Sequence, residues 1–243
     1  MVYIMSDIHG KLNYFELMLK LINLQPEDTL YILGDVIDRG PDGIKILKKI
    51  MSMPNVKMIL GNHEYMMLET LNNPYNLKNW NDKLSYAFAK SAWYGNGGDV
   101  THKQFKHFRK DTRKEMLDYL ANLPINIDIE VNGVKYKLVH AAPLDLYREF
   151  DYKYDNETEY AVWHRFGIHT MNELLKDTDY ILIFGHTPTI RFNDENPMKI
   201  FIKNKVIGID CGCAYPDEYH IKGRLGCLRL DDMKEFYIGK ENV

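Results

Sequence analysis

Five short apolar runs, each of strand length and each leading into a polar motif, constrain the fold of this chain more than any other feature. The runs span residues 2–5, 30–33, 56–60, 136–139 and 180–184. None alternates cleanly between apolar and polar side chains, which is typical of strands covered on both faces. Because ligands of α/β sheets bind beyond the carboxyl ends of the strands, we expect the five motifs to converge on one place.

Segments with helical spacing separate these runs. Apolar residues at positions 15, 18, 19 and 22 follow an i, i+3, i+4, i+7 pattern, and a similar pattern follows Pro41. A proline suits the first turn of a helix, where its missing N–H has no intrahelical partner. The alternation of strand and helix favours a largely parallel sheet in an α/β fold.

Two later regions change this rhythm. The segment from about 65 to 125 is predicted to be a mostly helical insertion between the third and fourth strands. Its Thr-Arg-Lys-Glu stretch at 112–115 has the form of a capping box. Short strand-like runs near the C-terminus predict a second, more antiparallel sheet packed on the first, with runs at 199–202, 206–210, 225–230 and 235–238.

Bulk composition excludes several classes of protein. The 243 residues are 45% hydrophobic, which is enough for one well-buried core, so we predict a single domain over 1–243. A net charge of −3 gives no electrostatic footprint for nucleic acid or an anionic membrane. There is no signal-peptide pattern at the start and no apolar run of the ~20 residues that a membrane span needs. Three cysteines fit reduced thiols, so we expect a cytoplasmic protein of undetermined oligomeric state.

The polar motifs have the donor types of a metal site. Asp7 and His9 are two residues apart, so in an extended chain both would point to one side and reach one ion. Hard oxygen and imidazole donors without thiolate suit Mn²⁺, iron or Zn²⁺ better than Mg²⁺ or Ca²⁺. Two such ions ~3.5–4 Å apart can hold a bridging hydroxide and clamp an in-line phosphoryl displacement. The predicted ligands are Asp7, His9, Asp35 as the bridge, Asn62, His140 and His186.

The complete set of motifs resembles the calcineurin-like metallophosphoesterases. The resemblance is carried by Asp-Ile-His-Gly at 7–10, Gly-Asp-Val-Ile-Asp-Arg-Gly at 34–40, Gly-Asn-His-Glu at 61–64, His140 and Gly-His-Thr at 185–187. It is nearest to the serine/threonine phosphoprotein phosphatase branch, and within it to the small bacterial and bacteriophage lambda-type enzymes. It implies an α/β/β/α sandwich of two packed, mainly mixed sheets flanked by helices, and two divalent ions with Mn²⁺ foremost.

The resemblance also implies roles for side chains outside the metal shells. His63 matches a general acid, and Asp38 matches the carboxylate that orients it. Arg39 and Arg165 match arginines that grip phosphoryl oxygens, to which a planar guanidinium fork is well suited. Asn62 is expected to contact the phosphate as well as a metal.

Two details favour the phosphatase branch. Gly-His-Thr-Pro at 185–188 lacks the second histidine of the Gly-His-x-His motif common in phosphodiesterases and nucleases. The related symmetrical diadenosine tetraphosphate hydrolases usually have Gly-Asn-His-Asp and replace the residue equivalent to Asp38. We therefore expect hydrolysis of phosphoserine and phosphothreonine, with phosphotyrosine as a further substrate, by direct attack of the bridging hydroxide. The partners would be phosphoproteins or phosphopeptides.

Other interpretations stay open at this point. The alternative enzyme is a symmetrical dinucleoside polyphosphate hydrolase with the same metal centre, and the alternative outside enzymes is an inactive metal-binding scaffold. Single motifs also fit structural roles: Gly-Asp-x-x-Asp-Arg-Gly fits a turn, Asn62 a helix cap and Arg165 a surface arginine. The occurrence of five motifs in family order, each after a strand-like run, favours the catalytic interpretation.

Overall fold

The computed structural model describes residues 1–72, 80–193, 197–215 and 222–242. Its strands are β1 (Val2–Met5), β2 (Thr29–Ile32), β3 (Val56–Met58), β4 (Asn126–Val131), β5 (Val134–Val139), β6 (Ile181–Phe184), β7 (Phe201–Lys203), β8 (Val206–Gly208), β9 (Leu225–Arg229) and β10 (Lys234–Ile238). Its α-helices are α1 (Leu12–Leu21), α2 (Gly43–Met51), α3 (Asn62–Leu71), α4 (Trp80–Gly95), α5 (Asp99–Phe105), α6 (Lys110–Ala121), α7 (Glu157–Trp163) and α8 (Ile168–Leu174).

The strands form two mixed five-stranded sheets. The first has the order β10-β9-β1-β2-β3, in which β1, β2 and β3 are parallel and the two C-terminal strands are antiparallel. The second has the order β4-β5-β6-β8-β7, in which β5, β6 and β8 are parallel. Parallel neighbours place their carboxyl ends at the same edge of a sheet, so each sheet presents one such edge.

Three apolar clusters show how the layers pack. Ile4, Leu33 and Ile183 belong to the cluster between the two sheets. Helices cover the outer face of the first sheet through a second cluster, and of the second sheet through a third. Helix α2 illustrates the pattern: Leu47 and its apolar neighbours one turn away are buried, whereas Lys48 is exposed. The predicted α/β/β/α sandwich is confirmed.

Several local predictions need correction. The C-terminal strands do not form a sheet of their own, because β9 and β10 extend the first sheet while β7 and β8 complete the second. The predicted insertion is helical, but its residues 73–79 lie outside the described residues, and β4 is an additional strand that pairs with β5. Helix α6 begins at Lys110, and its preceding residue makes no side-chain cap. Thr112 therefore lies inside the first turn and does not act as the predicted cap.

The insertion is tied to the turn that follows β2. The backbone N–H of Arg39 donates to the carbonyl oxygen of Gly97 at 3.1 Å. The N–H of Asp38 donates to Thr101 Oγ1 at 3.0 Å. These contacts link α5 and the loop before it to the Gly-Asp-x-x-Asp-Arg-Gly motif. In the described parts of the chain, no helix combines the length and apolar character needed to cross a membrane.

Candidate active site

The six predicted ligands lie together where the parallel strands end. Every one of them is at most 4% exposed. Two contacts show the convergence of the sheets: the N–H of His186 donates to Asp7 Oδ2 at 3.0 Å, and His140 Nδ1 lies 2.6 Å from the Leu33 carbonyl oxygen. The structure therefore brings together side chains that are up to 179 positions apart.

Asp35 stands between two groups of nitrogen donors. Its Oδ2 lies 3.7 Å from His9 Nε2, and its Oδ1 lies 3.5 Å from His140 Nε2. Two sets of ligand atoms close enough to hold an ion share this carboxylate: one contains His9 and His63, and the other contains His140 and His186. Asp7 also faces the first set, since its Oδ1 lies 3.9 Å from His9 Nε2. This geometry fits a bridging role for Asp35.

Hydrogen bonds behind the histidine rings aim a lone pair of each ring at the site. His9 Nδ1 lies 3.1 Å from the Ile37 carbonyl oxygen, so it donates and leaves Nε2 free. His140 uses Nδ1 in the same way, and His186 donates through Nε2 to the carbonyl oxygen of Trp163 at 3.2 Å. Such bonds fix the tautomer of metal-binding imidazoles.

Around His140 and His186, the lone pairs of three acceptor atoms point toward one another, and no hydrogen atom lies between them. Asn62 Oδ1 lies 2.9 Å from both His140 Nε2 and His186 Nδ1. Each of these nitrogens is the one that does not donate to a carbonyl, so three acceptors face one another. A cation resolves this repulsion, which makes the donor set a good fit for a divalent ion. Asn62 lies in the first turn of α3 and makes no cap.

The electrostatics of the buried carboxylates agree with this fit. Burial, followed by the charge of Asp35, raises the pKa of Asp7 to about 6. Burial raises the pKa of Asp35 to about 7. Burial also lowers the pKa of His9, His140 and His186, which keeps these rings neutral. The imidazoles are neutral, so they do not balance the charge of the ionised carboxylates beside them. A divalent cation would supply the missing positive charge.

Strained backbone places several of these side chains. Asp7, His9, Asp35 and His186 have φ angles of 54°, 45°, 54° and 60°. This left-handed region is unusual outside glycine and costs on the order of 1–3 kcal/mol per residue. Asp7 and His9 do approach each other, but not because the backbone is extended, so the reason given for the expectation is wrong. The two residues meet because the chain turns sharply after β1.

Two glycines allow the sheet edge to close. A Cβ on Gly61 would lie 2.3 Å from Asp35 Oδ1, and one on Gly34 would lie 2.6 Å from the Cα of Gly61. Gly34 also has a φ of 86°. The glycines that precede Asp35 and Asn62 are therefore required for the close approach of these two ligands.

His63 and Asp38 form a buried pair beside the ligand cluster. His63 Nδ1 lies 2.7 Å from Asp38 Oδ2, and the Nε1–H of Trp93 donates to the same oxygen at 2.8 Å. Burial raises the pKa of Asp38 to about 7 and lowers that of His63. Trp93 belongs to the insertion and is fully buried. Nothing in the sequence around position 93 indicated this contact, because it depends on how α4 packs.

The two predicted phosphate-binding arginines face one cavity of about 260 Å³. Arg39 lies with Nη1 2.9 Å from His9 Nε2 and Nη2 3.1 Å from His63 Nε2. The Nη1–H of Arg165 donates to Thr187 Oγ1 at 3.2 Å. Arg39 thus occupies the lone pair of His9 Nε2 that a metal ion would use.

The sequence analysis assigned no role in the site to two acidic residues, Glu64 and Asp210. Glu64 is fully buried and accepts hydrogen bonds from the backbone N–H groups of Asp35, Val36 and Ile37 at 2.8, 2.9 and 3.3 Å. It thereby fixes the strained turn that carries Asp35, the candidate bridging residue. Asp210 lines the cavity, and burial and the charge of Asp7 raise its pKa. Asp210 ends the predicted run at 206–210. The candidate ligands were chosen because they follow apolar runs of strand length, and the same criterion would have selected Asp210.

Comparison with known proteins identifies the family. The family model for calcineurin-like phosphoesterases matches residues 1–212. This chain therefore belongs to the calcineurin-like phosphoesterases and is an enzyme of the metallophosphoesterase type. Members of this family use a dinuclear metal centre, and the His and Asp groups described above are able to bind metal ions.

Several relatives are named for the hydrolysis of dinucleotides. Over 289 aligned residues, the chain is 26% identical to the symmetrical bis(5'-nucleosyl)-tetraphosphatase of Wigglesworthia glossinidia brevipalpis, covering 97% of this chain and 98% of that relative. It is 40% identical to the protein of the same name from Yersinia pestis over 68 residues, or 24% of that relative. A crystal structure provisionally named a diadenosine tetraphosphatase shares the fold, with a TM-score of 0.58 and 20% identity over 98% of this chain and 92% of that one.

These findings correct the expected substrate partners. Phosphoproteins and phosphopeptides were the predicted partners, and that prediction is wrong, because the relatives are named for small dinucleotide substrates. The error came from the weight given to Asp38 and Glu64. Both residues are explained by local contacts, since Asp38 bonds to His63 and Glu64 supports the backbone turn after β2.

Proposed function

We propose that this chain hydrolyses dinucleoside tetraphosphates symmetrically and releases two nucleoside diphosphates. The observation that carries the proposal is the match to a symmetrical bis(5'-nucleosyl)-tetraphosphatase over nearly the full length of both chains. A short shared motif would support only the family. Similarity over nearly the whole of both chains extends beyond the motifs to the rest of the domain.

The ligand set is proposed to hold two divalent ions, for which Mn²⁺ suits the mixed oxygen and imidazole donors. When bound, such ions lower the pKa of water to near neutrality and neutralise phosphoryl oxygens. The residues proposed to hold them are Asp7, His9, Asp35, Asn62, His140 and His186.

The arginines are proposed to orient the attacked phosphoryl group. Arg39 lies between His9 and His63, and Arg165 lines the same cavity. Both present guanidinium N–H groups that can bond phosphoryl oxygens, with Asn62 as a further contact. Positioning of this kind is a large part of phosphoryl-transfer catalysis.

His63 is proposed to donate a proton to the leaving oxygen through Nε2. In the structure Nδ1 donates to Asp38 and Nε2 accepts from Arg39, so the ring is neutral. A bound phosphoryl group that draws Arg39 away and adds negative charge favours the protonated ring. A nucleoside diphosphate leaves as a stabilised anion, so this substrate depends less on the proton than an alkyl ester does.

The decisive experiment is product analysis on diadenosine tetraphosphate. Protein stripped with EDTA is reloaded with Mn²⁺, and the products are separated by ion-exchange chromatography. We expect ADP as the only nucleotide product and a kcat/KM above that for an alkyl phosphomonoester such as glycerol phosphate. A mixture of ATP and AMP, or faster hydrolysis of the monoester, would contradict the proposal. An Asp35→Asn preparation controls for contaminating hydrolases.

A further inference from the structure

A third arginine lines the cavity beyond the two that resemblance to the family assigned. Among the described residues, Arg39, Arg165 and Arg191 all border this space, and all three are exposed to it. The pKa of Arg165 is lowered by burial and next by the charge of Arg191. The two guanidiniums therefore line one cavity and are close enough for their charges to repel each other.

Among the described residues, no carboxylate lies within salt-bridge distance of this pair, although the charges of Asp210, Asp7 and Asp35 act on Arg165 from farther away. Within the described ranges, neither Arg165 nor Arg191 forms a salt bridge, and the only side-chain bond of Arg165 goes to the hydroxyl of Thr187. Asp210 lines the same cavity and its charge acts on Arg165, but its Oδ1 accepts from the N–H of Gly212 and, among the described residues, it forms no salt bridge with either arginine. Two neighbouring cations without a paired anion are a common feature of phosphate-binding sites.

The backbone that carries Arg191 is firmly placed. Arg191 ends the short 3₁₀ turn Thr189–Arg191, which follows the His186 motif. The N–H of Thr189 donates to the carbonyl oxygen of Asp210 at 2.9 Å, and the N–H of Arg191 donates to that of Pro188 at 3.0 Å. Arg191 is therefore held at a fixed position five residues from a candidate metal ligand.

The arrangement suits a ligand longer than one phosphoryl group. Arg39 contacts His63 beside the ligand cluster, whereas Arg165 bonds to Thr187 and Arg191 lines the same cavity. An additional arginine beyond these is useful only when the substrate continues past the attacked phosphorus. The bridge of a dinucleoside tetraphosphate carries a negative charge on each phosphate, so its unattacked phosphates supply the anion that the arginine pair lacks.

We propose that Arg191, together with Arg165, forms a second anion subsite that binds the unattacked phosphates of a polyphosphate chain. The inference rests on the proposed function for its substrate, but the subsite itself predicts affinity for any linear polyphosphate. It assigns Arg191 to substrate selection by chain length. It does not assign Arg191 to the chemical step.

The test compares Arg191→Ala with Arg148→Ala, an exposed arginine that does not line the cavity. Two ratios are measured at constant free Mn²⁺: kcat/KM for diadenosine tetraphosphate over that for p-nitrophenyl phosphate, and the Ki of tripolyphosphate over that of orthophosphate. We expect Arg191→Ala to lower the first ratio and raise the second by roughly ten-fold, the loss of one charge-assisted hydrogen bond. Arg191→Lys should recover part of the effect, and Arg148→Ala should change neither ratio.

The outcomes separate this inference from the proposed function. If wild-type protein fails to hydrolyse diadenosine tetraphosphate but Arg191→Ala still weakens tripolyphosphate binding selectively, the subsite stands and the proposed substrate is wrong. If wild type hydrolyses the dinucleotide and Arg191→Ala matches Arg148→Ala in both ratios, the subsite is wrong. Equal weakening of orthophosphate and tripolyphosphate by Arg191→Ala also overturns it. Thermal unfolding of each variant identifies any that is misfolded, in which case Arg191→Lys provides the comparison.

Discussion

His63 Nδ1 lies 2.7 Å from Asp38 Oδ2, and both side chains are fully buried. The contact joins the turn after β2 to the first turn of α3, across 25 positions of sequence. It holds the ring so that Nε2 lies 3.1 Å from Nη2 of Arg39, a residue that lines the cavity. A carboxylate at this distance stabilises the protonated ring, whereas burial opposes protonation. The pair is therefore suited to a histidine that is neutral at rest and protonated when a phosphate binds.

The role of His63 predicts a dependence on the leaving group. General acid catalysis typically contributes ~10²–10⁴-fold, so His63→Asn should lower kcat for glycerol phosphate by roughly this factor. The loss for p-nitrophenyl phosphate should be much smaller, because nitrophenolate leaves without a proton. Steady-state kinetics on both esters, with metal content measured in parallel, test this. Equal losses on both esters with metals retained would assign His63 to phosphate binding.

Trp93 is predicted to tune the same pair from the insertion. Trp93→Phe keeps an aromatic ring but removes the N–H that donates to Asp38 Oδ2, and that N–H favours the ionised carboxylate. Protonated His63 should then be less stable, so the basic limb of the pH profile of kcat should move to lower pH. A loss of about 1–3 kcal/mol in the free energy of unfolding is also expected. Phe88→Leu, at a 67% exposed position of the same helix, is the control and should leave the profile in place.

Asp35 and Asn62 are predicted to differ in their effect on metal content. Asp35 faces ligand atoms of both sets, whereas, among the described residues, the Asn62 side chain lies near ligand atoms of the second set, His140 and His186. Asp35→Asn should weaken both ions and abolish activity, and Asn62→Ala should weaken mainly one. Elemental analysis after dialysis against limiting Mn²⁺ should give two ions per chain for wild type. Near-normal binding of two ions by Asp35→Asn would exclude the bridge.

The raised pKa values predict how stability changes with pH in metal-free protein. Asp7 and Asp35, with pKa values of about 6 and about 7 when folded, ionise at ~3.9 when unfolded. The folded state therefore binds more protons, and the free energy of unfolding falls as pH rises through this range. Buried histidines with lowered pKa act in the opposite direction, but only below ~6.5, where the unfolded rings titrate.

Above pH ~6.5 the histidines no longer titrate, so the carboxyl groups alone should make the free energy of unfolding fall as pH rises. In EDTA, the Tm of wild type should decrease between pH 6.5 and 8, and Asp35→Asn should show a smaller decrease. Saturating Mn²⁺ should abolish or reverse the trend, because the ions bind the ionised carboxylates. Differential scanning calorimetry measures each case. A Tm that rises with pH in EDTA would contradict the assignment of these groups as protonated in the metal-free fold.

The sequence by itself determined the strands and the positions of the chemical groups. Each predicted run overlaps an observed strand, because short β-branched segments bounded by turn residues have few other conformations. Motif order was sufficient to predict the family and the sandwich. The motifs did not separate substrates, since the presence of Asp38 favoured phosphoproteins while a relative matched over nearly its full length is named a dinucleotide hydrolase.

Only the tertiary structure decided how these groups meet. Three features cannot be predicted from nearby residues in the sequence. They are the division of the parallel strands between two sheets, the left-handed turns at Asp7 and Asp35, and the contact of Trp93 with Asp38. The physical reason is that they depend on contacts between segments far apart in sequence, such as the bond from the His186 N–H to Asp7. Strained turns of this kind are stable only when the surrounding packing compensates their cost, and that packing exists only in the folded chain.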